Sequence, residues 1–142
     1  MRVAILVSKF NEEITGGLLW GAREVLKEKN ITFDEKDLFW VPGAFEIPLI
    51  AKKLALSGRY QAIVALGCVI KGDTAHFEFI SLGTSIGIQQ VSLETGIPVS
   101  FGILTTYTDE QAQARSKKDA HNKGREAALA VIESAQILNS IH

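Results

Sequence analysis

Ala62-Ile63-Val64-Ala65-Leu66 places five apolar side chains in a row between Gln61 and Gly67. A short run without alternation reads as a strand covered on both faces, because a half-exposed strand would show a polar residue at every second position. Val3–Val7, Leu38–Val41 and Val99–Leu104 have the same character. The stretches between these runs change period. Ile14, Leu18, Ala22 and Val25 are spaced by three and four, one stripe of a helix. Ile47, Ile50, Ala51, Leu54 and Ala55 form a second stripe, and Ile80, Thr84, Ile88 and Val91 a third, weaker one. Thr108-Asp109-Glu110-Gln111 has the capping-box pattern that opens a helix. A last stripe, Ala128, Val131, Ile132, Ala135 and Leu138, follows Gly124.

Strands that alternate with helices need crossover connections, which are right-handed and make the sheet parallel. The expected fold is α/β, a three-layer flavodoxin-like sandwich with a four-stranded parallel sheet flanked by helices. The 142 residues suffice for one core and not for two, so 1–142 reads as a single domain. With 15 basic and 16 acidic side chains the net charge is −1, which argues against a general nucleic-acid binder and leaves room for a local cationic pocket. The one cysteine, Cys68, excludes an intrachain disulfide. The apolar start is too short for a signal core or a membrane span, so a cytoplasmic protein is expected.

In open α/β sheets ligands bind beyond the carboxyl ends of the strands. The segments expected there are 8–11, 42–46, 67–76 and 105–106, which gather turn glycines, aromatics, a carboxylate and a histidine into one expected site. Gly72-Asp73-Thr74, ahead of a helix, suits a phosphate held on backbone N–H groups, or is a plain cap made by Asp73 or Thr74. No Walker-type loop is present, which argues against a nucleoside triphosphate. His76 is a candidate proton shuttle or a solvent-facing helix residue. Phe10 and Phe45 stand in polar, turn-like segments, where they stack on a planar heterocycle or close the core. Glu46 is a binding carboxylate or a helix cap. Arg115, Lys117, Lys118, Lys123 and Arg125 make a cationic stretch around a helix break, an ordinary solvated surface unless it holds an anion. Cys68, with no base beside it in sequence, reads as a packing residue. His121 and His142 lack comparable context, and with Cys68 they do not have metal-ligand spacing, so no metal site is expected.

Jointly these segments resemble the 6,7-dimethyl-8-ribityllumazine synthase family over nearly the whole chain. The resemblance rests on Lys9-Phe10-Asn11, on Val41-Pro42-Gly43-Ala44-Phe45-Glu46-Ile47-Pro48, and on the stretch Gly67-Cys68-Val69-Ile70-Lys71-Gly72-Asp73-Thr74-Ala75-His76-Phe77. It continues through Phe101-Gly102-Ile103-Leu104-Thr105-Thr106, Glu110-Gln111-Ala112, Arg115 and Asn122-Lys123-Gly124. It implies a transferase of riboflavin biosynthesis, working without cofactor or metal. Such an enzyme condenses 5-amino-6-(D-ribitylamino)uracil with 3,4-dihydroxy-2-butanone 4-phosphate, eliminates phosphate and closes the lumazine ring with loss of water. Much of the acceleration would come from holding two reactants together.

By that resemblance Phe10 stacks on the pyrimidine and Asn11 lines the same pocket. Ala44, Phe45 and Glu46 meet the ribityl chain, while Cys68, Val69 and Ile70 frame the ring edge through backbone groups. Asp73 and Thr74 offer N–H groups to the phosphate, which Arg115 neutralises. His76 is the general acid and base, oriented by Glu126, and Phe101 and Lys123 complete the pocket. Phe101, Arg115 and Lys123 are expected from a neighbouring subunit of a homo-oligomer, a cyclic pentamer. The uninterrupted path from Arg115 to Asn122 is compatible with a shell of sixty subunits, and a riboflavin synthase is an expected partner. Three departures stand out. Asp119 replaces a lysine common in the family, so no role is carried to it. The usual glycines around it are Ser116 or Lys117 and His121, which predicts an altered bend. Many members carry about a dozen further residues ahead of the first core strand. Competing readings are a lumazine- or flavin-binding protein without turnover, a purely structural shell and a flavodoxin-type electron carrier.

Overall fold

The computed structural model describes residues 1–141; His142 lies outside them. Four parallel strands, β1 (Val3–Ser8), β2 (Leu38–Val41), β3 (Ala62–Ile70) and β4 (Val99–Thr106), form one sheet in the order β2-β1-β3-β4. Helices α1 (Glu12–Glu28), α4 (Asp109–Ser116) and α5 (Lys123–Ser140) cover one face, and α2 (Ile47–Leu56) and α3 (His76–Thr95) the other. The strand order reverses direction between β1 and β3, which opens a crevice at their carboxyl ends.

The apolar runs make this sandwich. Every side chain of β1 from Val3 to Val7 is fully buried, as its lack of alternation requires. Ile14, Leu18, Ala22 and Val25 of α1 pack with Ala128, Val131, Ile132 and Ala135 of α5 in one core layer. Ile47, Ala51, Leu54 and Ala55 of α2 pack with Ile88 and Val91 of α3 in the other. The capping box of α4 forms as read: Thr108 Oγ1 accepts from Gln111 N at 3.1 Å, and Gln111 Oε1 accepts from Thr108 N at 3.3 Å.

Three boundaries differ from the sequence reading. Strand β3 runs to Ile70 rather than Leu66, and β4 to Thr106 rather than Leu104, paired Cys68↔Leu104, Val69↔Thr105 and Ile70↔Thr106. Gly67 looks like a turn residue but sits inside β3, because a Cβ there would stand 3.1 Å from both Ile103 Cδ1 and Ser8 Oγ. Cys68, Val69 and Ile70 are therefore strand residues, on a two-stranded extension beyond the end of β1. Helix α5 starts at Lys123, with Gly124 inside it, where a methyl would overlap the Leu18 carbonyl.

The amino ends of the strands are closed by paired charges. Asp37, buried, accepts from Tyr60 Oη at 2.9 Å and Arg2 Nη2 at 3.0 Å, and its other oxygen accepts from Asp34 N at 3.2 Å. Burial alone would raise the Asp37 carboxyl, but these bonds hold it below the ordinary carboxylate range.

Candidate active site

At the carboxyl ends of β1, β2 and β3 lies a concavity of about 320 Å³. The turn after β1 brings Phe10 to it. Lys9 N donates to Val41 O at 2.8 Å and Phe10 N to Pro42 O at 3.1 Å, tying this turn to the one after β2. The ring is 70% exposed, so it does not close the core and presents a face for stacking. The single 3-10 turn Ala44–Glu46 presents Phe45, 59% exposed, with its ring edge over Gly83 of α3, where a Cβ would stand 3.2 Å away. Ala44, Glu46, Cys68, Val69, Ile70, His76 and Ile80 line the same hollow. Eight of the residues named from sequence thus meet in one place.

The polar groups here are poised rather than paired. His76 is the first residue of α3; its backbone N donates to Thr74 Oγ1 at 3.3 Å, and its imidazole makes no hydrogen bond among the described residues. The Glu46 carboxylate likewise has no ion pair there. Burial, with a smaller effect of the Asp109 charge, pushes the Cys68 thiol up to about 12, so it stays protonated and is no nucleophile near neutrality. Asn11 does not line the hollow. It sits in the left-handed region at φ 62°, and its Nδ2 donates to Cys68 O at 3.1 Å, bracing the Phe10 turn against β3. Asp73 and Thr74 lie on the exposed loop ahead of α3, and neither side chain accepts from that helix's N2 or N3 amide in the way of an N-cap. Lys71 Nζ pairs with Glu78 Oε1 across the ends of this loop at 2.5 Å.

A second hollow, about 400 Å³, holds Phe101, Arg115, Lys123 and Glu126. The two share no lining residue. Arg115 Nη1 donates to Gln111 O at 3.3 Å, and no carboxylate pairs with it among the described residues. Within the chain Glu126 accepts from Lys123 Nζ at 3.1 Å and lines the second hollow, while His76 lines the first. The α5 start places its side chain one turn from Lys123, which settles that partner locally. Tyr107, Gln111 and His121 also line this hollow, and none of them was given a site role from sequence. Tyr107 follows β4 directly, so the rule of strand carboxyl ends was the available signal.

Asp119 and the missing glycines find an account here. Asp119 Oδ1 accepts from His121 N at 2.9 Å, an Asx turn that bends the chain between α4 and α5 without a glycine. Among the described residues no three His, Cys, Asp or Glu side chains gather as a metal would need, and no helix is long and apolar enough to cross a membrane.

A family model described as 6,7-dimethyl-8-ribityllumazine synthase matches residues 1–139. A protein of Caulobacter vibrioides named 6,7-dimethyl-8-ribityllumazine synthase 1 is 58% identical over 140 residues, covering 99% of this chain and 92% of that protein.

Proposed function

The chain belongs to the 6,7-dimethyl-8-ribityllumazine synthase family, and from that premise we propose how its residues divide the reaction. The enzyme is a transferase of riboflavin biosynthesis. It condenses 5-amino-6-(D-ribitylamino)uracil with 3,4-dihydroxy-2-butanone 4-phosphate to give 6,7-dimethyl-8-ribityllumazine, phosphate and water. The amine attacks the ketone and water leaves as the imine forms. Loss of a proton from the carbon beside the imine then expels inorganic phosphate with the C–O electrons, and the second nitrogen closes the ring with loss of a second water.

Phe10 stacks on the pyrimidine, and the backbone of Cys68, Val69 and Ile70 reads its edge. Ala44 and Phe45 bound the ribityl chain, whose hydroxyls donate to Glu46. His76 passes protons between the attacking amine, the leaving water and the carbon acid, a task suited to an exposed, unpaired imidazole. Backbone N–H groups at Asp73 and Thr74 meet the phosphate, and the Arg115 fork neutralises it as it leaves. Phe101 and Lys123 close the site, and Glu126 holds Lys123 in place. The whole chain acts as one domain.

One observation carries this division: the proton shuttle and the stacking ring lie on one hollow, and the cations lie on another with no residue in common. A complete site therefore joins the first hollow of one subunit to the second hollow of its neighbour. The outer face of α3 fits such an assembly, since Phe79, Leu82, Ile86 and Leu93 form an exposed apolar stripe at helical spacing. A face that meets a different face of the next copy closes into a ring, here of five chains. The reading extends to a shell of sixty chains, to a riboflavin synthase that consumes the product, and to the cytoplasm as its compartment. Mixing the two substrates and following lumazine absorbance together with phosphate release tests the chemistry, and sedimentation tests the ring. A monomer with full activity would overturn the shared site.

A further inference from the structure

We infer that Asn122 is a positioning residue for the phosphate-binding Arg115: its buried amide bolts the α4–α5 turn onto α1 and so sets where Arg115 stands. The side chain has 0% exposure. Its Nδ2 donates to Gly17 O at 3.0 Å and to Lys117 O at 2.8 Å, while Oδ1 accepts from Gly124 N at 2.8 Å and Arg125 N at 3.2 Å. A primary amide has two donors and one carbonyl oxygen with two lone pairs, and all are occupied. Flipping it would set donors against two N–H groups and an oxygen against two carbonyls, so the orientation is determined by its surroundings. Nothing is left over for a ligand, which excludes direct contact with substrate.

The junction is shaped around this bolt. Helix α1 carries glycines where the turn approaches: a methyl at Gly21 would overlap Asn122 Oδ1, and one at Gly17 the Ser116 carbonyl. The tie therefore spans two backbones, one residue pair 105 apart in sequence and one within the turn. Arg115 lies just ahead of the bolted segment and Lys123 just after it. Among the described residues neither side chain bonds beyond its own helix: Arg115 donates to the Gln111 carbonyl and Lys123 to Glu126. A charge that must meet a phosphate in fixed geometry gains from such a mount, because misplacement by about 1 Å costs on the order of a hundredfold in rate.

This inference rests on the reading of Arg115 as the phosphate's partner, and the experiment separates the two. Asn122→Asp keeps the acceptor that caps α5, where a carboxylate suits the helix start, and sets an oxygen against the Gly17 and Lys117 carbonyls. Asn122→Ser keeps a cap and is too short for the tie. Steady-state kinetics of both variants, as assembled enzyme, should show KM for the butanone phosphate raised about tenfold or more. KM for the pyrimidine should stay within about twofold, because Phe10, Glu46 and His76 stand on other elements. A merely structural role would lower the active fraction, reducing kcat and leaving both KM values alone, and that result overturns the inference. So does failure of both variants to fold, which would make Asn122 a folding determinant. Arg115→Ala is measured in parallel. If it raises the phosphate ester's KM while both Asn122 variants do not, the inference falls alone. If Arg115→Ala leaves that KM unchanged, the reading of Arg115 falls and takes the inference with it.

Discussion

The two hollows at the carboxyl ends of the sheet are built on opposite principles. The first, around Phe10, Phe45 and His76, is aromatic and open, and its His76 imidazole and Glu46 carboxylate have no polar partner among the described residues. The second, around Arg115 and Lys123, is cationic and hangs from a turn whose central residue is wholly buried and fully bonded. A stacking ring needs only a face and a backbone anchor, because its contact is broad and tolerant of small shifts. A guanidinium that binds an anion in a bidentate fork is directional, so it gains from a fixed mount. Neither hollow alone gathers all the residues assigned above to the reaction, and the comparison is what the proposed shared site rests on.

The largest expected effect lies in the first hollow. His76→Ala should lower kcat by about 10²–10⁴-fold and leave measurable turnover, since proximity of the reactants survives loss of the shuttle. The pH dependence of kcat should flatten with it; an unchanged profile would remove His76 from the mechanism.

Combining the hollows breaks or keeps the comparison directly. Co-refolding equal amounts of His76→Ala and Arg115→Ala subunits should restore roughly a quarter of the wild-type sites, because each site draws one half from each neighbour at random. Activity that stays at the level of the parents, after subunit exchange has been demonstrated, would show that both hollows serve sites within one chain.

A control at the other end of the sheet separates stability from chemistry. Asp37→Ala strands the Tyr60 hydroxyl and the Arg2 guanidinium, and should lower unfolding free energy by roughly 3 kcal/mol in a denaturant titration while KM for both substrates holds. Because the folded carboxyl titrates below the unfolded one, its contribution is present at neutral pH and is lost as pH falls through the acid range. Equal acid sensitivity in Asp37→Asn and wild type would contradict this.

The smallest effect concerns Cys68. Its thiol, raised to about 12, should resist iodoacetamide at pH 8 in the folded enzyme and react promptly in denaturant. The folded state holds that proton longer than the unfolded chain, so the thiol's contribution should decline as pH rises from about 9 toward 12. Fast alkylation of the native protein would show the wall between the first hollow and the core to be open.

Much of this was legible before any coordinates. The unalternating runs Val3–Val7 and Ala62–Leu66 announced strands covered on both sides, and the spacing from Ile14 to Val25 announced the helix that covers them. The carboxyl-end rule then picked Phe10, Phe45, Glu46 and His76 from turns that periodicity leaves blank. Other features were misread for a physical reason. Gly67 resembled a turn because glycine most often marks one, while its actual cause is the approach of Ile103 and Ser8 from other strands. Asn122 carried no role in the sequence reading beyond the Asn122-Lys123-Gly124 match, although it is among the most buried polar residues in the molecule.

The sequence by itself determined what near neighbours decide: strand or helix, the α4 cap, the order of layers and the chemistry of the residues at strand ends. Period and capping act over a few residues, so they are written locally. Only the tertiary structure decided which of those residues meet. It separated Arg115 and Lys123 from His76, paired Glu126 with Lys123, and joined Asn122 to Gly17 across the chain. Those outcomes depend on how closely two helices approach over a glycine and on where two strands outrun their neighbours, distances that packing sets and no short stretch of sequence contains.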